Sequence, residues 1–413
     1  MKVVIVNTSE SKGGAAVACK RQFEALTSIG IDCSLLVFHK TSNNPKVIQI
    51  PISKFKHQFL HFLFYIELFC LKFLKLKNKD FSLSIFGISL SKIKEVQDAD
   101  VIHLHWIHNS FINIKDIRNL SSKNKKVFWT MHDMWAFTGG CHYADTCMKY
   151  TQSCSTCPQL KSNSIIDIAK NQHRKKKNLN FEKINFLTPS KWLTTIAKNS
   201  SILENANVNP LSNCIDTNKK SPIEKELALA KLGLEKLKNR KIFLFIAMNA
   251  NDPRKGFKEL EDSLNLWTLK FQEKAVLLVV GRLTQEFNIN KDLIEVVSLG
   301  RIFDEEKINA AYSCADLFLM PSKQDNLPNT IMESLTFGTP IVAFPTGGIP
   351  EMIIHKKTGY IAESGNIEDF SEGIHWAYLN SDSSRNECRN FAIEHYDYKT
   401  IAERLKNIYE KTN

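Results

Sequence analysis

The chain has 413 residues, 43% of them apolar and 24% charged, with a formal net charge of +12. That length supports two domains or three, each able to bury its own core, and the composition is the ordinary one of a soluble α/β protein. The charge is lopsided: residues 1–200 hold 29 Lys and Arg against 13 Asp and Glu, so +16, and the remainder sums to −4.

An excess so placed points to a polyanion or an anionic membrane surface beside the first half. Free use of Lys by a low-GC genome is the plainer reading, but it leaves the one-sidedness unexplained. The first seven residues run straight into an apolar strand without the layout of a signal peptide. No charge-free stretch is long and apolar enough to span a bilayer, so a cytoplasmic location is expected.

Residues 2–7 predict a strand, 8–14 a loop holding Gly13 and Gly14, 15–29 an amphipathic helix and 34–38 the next strand. Paired glycines before a helix let backbone approach a ligand closely, although a plain tight turn uses them equally well. The Gly-Xaa-Gly-Xaa-Xaa-Gly of a dinucleotide oxidoreductase is absent there. Residues 53–79 crowd Phe and Leu in the middle, with Lys54, Lys56, Lys72, Lys75, Lys77 and Lys79 at the flanks. That composition suits a helix lying in a membrane interface, its lysines at the headgroups. A core helix pair is the alternative, since apolar residues sit nearly all round between 59 and 69.

Residues 101–106 and 127–131 read as strands delivering His103, His105 and Trp106, then His132 and Asp133. A His at a strand's carboxyl end can donate to a substrate hydroxyl. Four cysteines follow within 17 residues, Cys141, Cys147, Cys154 and Cys157, the last two as Cys-Xaa-Xaa-Cys. Thiols so close together suit a tetrahedral structural zinc that pins an irregular loop. Their spacing is not that of a common zinc finger, and two disulfides would serve in an oxidising setting. The basic run 173–177 reads as a solvated helix face, 185–189 as a strand leading to Ser190, and 207–222 as a linker rich in Asn, Ser and Pro.

Beyond the linker the pattern alternates: strand 242–248, helix 257–271, strands 275–280 and 295–299, helix 304–313. Residues 317–320 form a buried strand closed by Pro321, 330–337 a helix stopped by Gly338 and Pro340, and 341–344 a further strand. In such a βαβ unit ligands bind outside the carboxyl ends of the strands, where helix N-termini also point. That edge carries Asp325, the helix start at Asn329 or Thr330, Glu333 on the first turn, and Gly347-Gly348. Amides at a helix start attract phosphate, and a carboxylate one turn in can accept from a sugar diol. The pattern describes a site for a nucleotide sugar. Residues 370–378 and 399–410 are helical.

The stretch 315–351 resembles the donor-binding region of family 4 retaining glycosyltransferases of the GT-B architecture. That family sets two Glu with seven residues between them, then a Gly-Xaa-Pro strand start and a Gly-Gly-Xaa-Pro-Glu loop. Glu333, Gly338-Thr-Pro340 and Gly347-Gly-Ile-Pro-Glu351 match, while Asp325 stands at the first Glu. The resemblance covers nearly the whole chain and is strongest over 242–362. It implies an α/β fold of two Rossmann-like domains facing a central cleft. The first, 1–206, would take the acceptor, with a helix over 396–413 packing back on it; the second, 207–395, would bind the donor.

By the same resemblance Gly13 and Gly14 face the cleft, and Lys255 pairs with the donor diphosphate. Arg254 stands beside it to compensate for Asn249, which occupies the place of a family Arg. Ile302 lies where the base is read through backbone, Asn329 and Thr330 meet phosphate, and Glu333 meets the ribose. The catalytic candidates are His132, Asp325 and Lys255. The stretch 132–160, from His132-Asp-Met-Trp through Cys157-Pro-Gln-Leu160, further resembles a subgroup from bacterial exopolysaccharide, colanic acid and O-antigen clusters. The expected partners are a nucleotide-sugar donor, a lipid-linked or oligosaccharide acceptor and an anionic membrane surface at the inner face of the cytoplasmic membrane, not nucleic acid. No catalytic metal or other cofactor is expected, because Asp98-Ala-Asp100 merely precedes a strand and no other Asp-Xaa-Asp stands at a plausible loop. A nucleotide-sugar 2-epimerase of the same architecture, and a silent sugar- or nucleic-acid-binding homologue, are the alternatives.

Overall fold

The computed structural model describes residues 1–73, 81–121, 125–160, 167–179 and 181–412. It forms two units, Met1–Cys214 with Ile401–Asn413, and Ile215–Thr400. The first contains β1 (Lys2–Ser9), α1 (Gly14–Ser28), β2 (Asp32–His39), β3 (Val47–Gln49), α2 (Lys54–Phe73), α3 (Lys94–Asp98), β4 (Val101–Leu104), α4 (Ile114–Ser121), β5 (Lys126–Thr130), α5 (Ile168–Lys177), β6 (Ile184–Thr188), α6 (Lys191–Lys198) and β7 (Asn207–Pro210). Its sheet is parallel, in the order β3-β2-β1-β4-β5-β6-β7. A parallel sheet is covered on both faces, which is why Val3, Val4, Ile5 and Val6 are all buried in an unbroken apolar run.

The expected boundary at 207 is moved by β7. Asn207–Pro210 pair in register with Asn185–Thr188 at the edge of the first sheet, so these residues belong to the first unit. Val208 alone of the four is buried. An edge strand tolerates polar residues and a terminal Pro, so its sequence reads like a linker.

The second unit contains α7 (Lys225–Leu232), β8 (Ile242–Asn249), α8 (Phe257–Phe271), β9 (Ala275–Arg282), β10 (Ile294–Gly300), α9 (Glu305–Cys314), β11 (Leu317–Met320), α10 (Asn329–Thr336), β12 (Ile341–Ala343), β13 (Gly359–Ile361) and α11 (Ile367–Tyr396). Its sheet is also parallel, in the order β10-β9-β8-β11-β12-β13. Alternate residues of one strand feed opposite cores: Ile242 and Leu244 pack with Phe318 and Ile331, Phe243 and Phe245 with Trp267 and Leu319. Together these make two Rossmann-like α/β units.

Two details depart from the expected pattern. α11 runs for 30 residues, not the nine of 370–378. Asn366 starts it by accepting the amide of Asp369 at 3.0 Å. Small buried residues, Ser381, Ser384, Cys388 and Ala392, then line its inner face. The run 173–177 is not simply solvated, because His173 and Lys176 of α5 are buried. The last helix, α12 (Tyr398–Lys411), belongs from Ile401 onward to the first unit. There Tyr409 is fully buried, its hydroxyl 2.6 Å from His103 Nδ1, while Lys126 Nζ donates to its carbonyl at 3.1 Å.

α2 is one helix rather than a pair. Its inner face buries Leu60, Glu67 and Leu71, and Glu67 accepts the amides of Leu83 and Ser84 at 2.6 and 3.0 Å. Roughly opposite, at alternating spacings of four and three, Phe55, Phe59, Phe62, Ile66 and Phe69 are 38% to 78% exposed. Lys75, Lys77 and Lys79 lie outside the described residues. Among those that are described, no helix is long and apolar enough to cross a membrane.

Candidate active site

In the second sheet the strand order reverses between β8 and β11, which is where a parallel sheet forms a crevice beyond its carboxyl ends. The loop after β8 brings Lys255 there and the loop after β11 brings Asp325. The two side chains form an ion pair, Lys255 Nζ standing 2.7 Å from Asp325 Oδ2, with 31% and 15% of their surfaces exposed. Arg254 turns back onto Asp252, donating from Nη2 at 2.9 Å. Burial pushes the Asp252 carboxyl up, but the Arg254 bonds outweigh it and hold the group below its ordinary value.

Two glycines make the crevice possible. Gly256 follows Lys255 with φ +74°, and a Cβ there would stand 1.9 Å from the Pro321 carbonyl oxygen. Gly347 has φ +58°, and a Cβ on it would stand 1.9 Å from the Asp325 carbonyl oxygen. Only residues without a side chain let these loops lie backbone to backbone. The loops after β8, β11 and β12 are thereby gathered at one sheet edge.

Helix α10 begins at Asn329, straight after Pro328, whose ring offers no side-chain cap. Its amides and dipole favour an anion at Asn329 and Thr330. Glu333, half-buried one turn in, accepts from the hydroxyl of Tyr312 at 2.9 Å. Tyr312 is fully buried on α9, and nothing in its sequence neighbourhood announced this bond. Asn249 is exposed at the end of β8. Ile302 follows β10, two places from β8 in the sheet, and packs against the core. A cavity of about 620 Å³ lined by Leu283, Phe287 and Glu295 contains none of these site residues.

The first sheet reverses between β1 and β4. Gly13, with φ +95°, precedes α1 without capping its first turn by a side chain, and open space lies where a Cβ would stand. Gly14 is the first helical residue. His105 follows β4 and His132 follows β5; His105 Nδ1 lies 2.9 Å from His132 Nε2. Burial lowers the His132 pKa to about 4 although Asp133 opposes the shift, so its imidazole is neutral at pH 7. His105 is also lowered, by burial first and then by His103 and His132. His103 serves the fold, its nitrogens bonded to Tyr409 and, at 2.7 Å, to Thr130 Oγ1.

Asp133 points into a separate network. It accepts from His142 Nδ1 at 2.7 Å, from the Trp106 indole at 3.2 Å and from the Trp135 amide at 2.8 Å. Burial pushes its carboxyl up, yet His142 holds it well below the usual carboxylate range. His108 completes a trio whose ligand atoms all lie within 4.8 Å, a grouping the sequence did not suggest. The four cysteines of the following loop are free thiols, and all of them line a single cavity of about 10 Å³.

Comparison with known proteins bears on the charged crevice. Residues 233–395 match the family described as glycosyl transferases group 1. The matched stretch lies wholly within the second unit. Over 271 residues the chain is 26% identical to a putative colanic acid biosynthesis glycosyl transferase, WcaC, of Escherichia coli K12, covering 63% of this chain and 62% of that one. The chain spans about half to three-fifths of the length of the first curated relatives it matches, 49% and 62%. Sucrose-phosphate synthase from Thermosynechococcus elongatus superposes with a TM-score of 0.66 at 17% identity, covering 100% of this chain and 99% of the other. HepE from Anabaena, solved in complex with UDP-glucose, superposes with 0.60 at 15% identity over 100% of both chains. At such identities the likeness shows the fold, which is GT-B.

Proposed function

We propose that the chain is a retaining family 4 glycosyltransferase that moves a sugar from a nucleotide-sugar donor to a hydroxyl of a glycan acceptor in bacterial surface polysaccharide synthesis. The observation that carries this reading is the Lys255–Asp325 ion pair at the strand-order reversal, beside the start of α10 and the Tyr312-held Glu333. In the reaction the bond between the anomeric carbon and the diphosphate oxygen breaks, and the acceptor oxygen takes its place. The acceptor proton leaves on the diphosphate. Lys255, with Arg254 beside it, offsets the negative charge growing on that leaving group without a metal ion, the kind of electrostatic term that usually dominates. Asp325 orients Lys255 and meets the donor sugar, Glu333 accepts from the ribose diol, and neutral His132 donates to a sugar hydroxyl. The relative complexed with UDP-glucose makes uridine diphosphate sugars the first donors to try.

The acceptor is lipid-linked on this reading, and the protein meets it at an anionic membrane surface. The exposed stripe of Phe55, Phe59, Phe62, Ile66 and Phe69, with Lys54, Lys56 and Lys72 beside it, supports that location.

A panel of nucleotide sugars, each incubated with and without oligosaccharide acceptors, tests the chemistry. Slow release of free nucleotide, accelerated by one acceptor, is expected. Conversion of the donor to its 2-epimer without an acceptor would instead establish the epimerase, and failure of every donor to bind would end the transfer reading. Co-sedimentation with neutral and anionic vesicles at two salt concentrations tests the location. Salt-sensitive binding to anionic vesicles is expected, and equal binding to both would remove the electrostatic part.

A further inference from the structure

We propose that Cys141, Cys147, Cys154 and Cys157 hold one structural zinc ion that locks the loop between β5 and α5. All four thiols converge on one cavity of about 10 Å³, although they sit at three different stretches of the loop. That volume admits about one water-sized body, but a buried water needs two to four polar partners. Beyond the sulfurs the walls include Phe81, Ala144, Pro158 and Ala169 with Lys149 and Tyr150, whose polar ends are engaged by Thr156 and Met148, so a water finds few partners while a metal bound through soft ligands is suited.

A hydrogen bond to sulfur points the same way. Cys154 Sγ accepts from the backbone amide of Gly139 at 3.2 Å. Backbone N–H groups aimed at sulfur stabilise a thiolate, which is the form a metal requires, and such outer contacts orient metal ligands. Cys154 and Thr156 hold positive φ, +51° and +49°, without being glycine, so the Cys-Xaa-Xaa-Cys turn adopts a conformation that favours neither residue.

The loop is anchored from α5 as well: Lys176 is 1% exposed, donates to the carbonyls of Trp135 and Thr138, and lies 3.5 Å from the centroid of the Trp135 ring.

No three of the sulfurs lie within the 4.8 Å that joins His108, Asp133 and His142. Tetrahedral zinc with Zn–S bonds of about 2.3 Å needs a tighter set, so binding draws the loop together. Disulfides are the competing use of the same thiols.

The experiment uses the full chain, purified without chelator under reducing conditions. Elemental analysis should give about one zinc per chain, and titration of the thiols with a mercurial should release it. Cobalt-exchanged protein should show sulfur-to-metal charge-transfer absorption and the ligand-field bands of tetrahedral cobalt. A Cys154→Ser, Cys157→Ser variant should lose the metal, whereas Cys19→Ser, a buried cysteine outside the loop, should keep it. Should the double variant fail to fold, the wild-type zinc content and cobalt spectrum still decide. Zinc well below half an equivalent, a cobalt spectrum without sulfur bands, or mass spectrometry finding these cysteines in disulfides would overturn the proposal.

Discussion

Beyond β4 and β5 of the first unit stand His105 and His132, hydrogen-bonded to each other and kept neutral by burial. Beyond β8 and β11 of the second stand Lys255 and Asp325, paired as ions and open enough for a ligand to compete for them. Both sheets place the first strand of their unit third from one edge and reverse their order beside it. The same topology therefore fixes where a ligand can lie and says nothing about what it is. Chemistry enters through the few side chains at the strand ends. Neutral donors suit hydroxyl groups; a cation beside a helix start suits phosphate.

The largest expected effect breaks the charged side of this comparison. Lys255→Met should lower kcat by about 10²–10³, the loss typical of one removed transition-state donor, with a smaller change in donor affinity. Equal losses in turnover and affinity would reduce Lys255 to a binding group. Next comes acid sensitivity on the neutral side. His132 titrates ordinarily near 6.5 and is lowered to about 4, and His103 to about 3. Unfolded chains take up these protons as pH falls through 6.5, whereas the folded protein does not until pH 4 or below. Stability is thus full above pH 6.5 and drains away as pH falls toward 4, by on the order of 3 kcal/mol for His132 alone. Urea unfolding at pH 7.5, 5.5 and 4.5 reads this directly, and His132→Asn should flatten part of the slope. A profile unchanged between pH 7.5 and 4.5 would mean that neither imidazole is held neutral.

Glu333→Ala should weaken nucleotide binding by about 1.5–3 kcal/mol, measured by calorimetry on the folded variant. Tyr312→Phe, which removes the hydroxyl that fixes Glu333, should cost less, about 0.5–1.5 kcal/mol, and the double variant should show the two effects are not additive. Additive losses would separate Tyr312 from the site. The smallest effect sharpens the contrast with surface chemistry. Replacing Phe55, Phe59, Phe62 and Phe69 with Ser should change stability by about 0.5 kcal/mol or less at each position, because these rings are exposed, while abolishing vesicle binding. Large destabilisation instead would mean that the stripe packs against protein.

Much of this architecture was legible in the sequence. The span 257–271 coincides with α8 and 317–320 with β11, since apolar periodicity there is strong and Gly256 and Pro321 punctuate it. β7 escaped because an edge strand with one buried residue leaves no apolar pattern. α11 escaped beyond 378 because its inner face is Ser, Cys and Ala, which pack closely yet look like a loop. At the site, sequence could name Lys255 and Asp325 separately but not join them across 70 positions. It could not see that Lys176 turns inward from a basic run, because composition does not tell which lysine the fold encloses. Nor could spacing reveal Tyr312 beneath Glu333 or the trio of His108, Asp133 and His142.

Tyr409 on α12 sits buried against His103 of β4, so the first unit closes its core with residues made after the whole second unit. A ribosome delivers the chain in order. The first sheet must then wait, lacking Tyr409, while residues 215–400 are synthesised, roughly 10–40 s at about 5–20 residues per second. During that interval the surface reserved for α12 is open on the nascent chain. Birth order thus runs against assembly order: the unit begun first is finished last, and a chain arrested anywhere before Tyr409 leaves that surface uncovered.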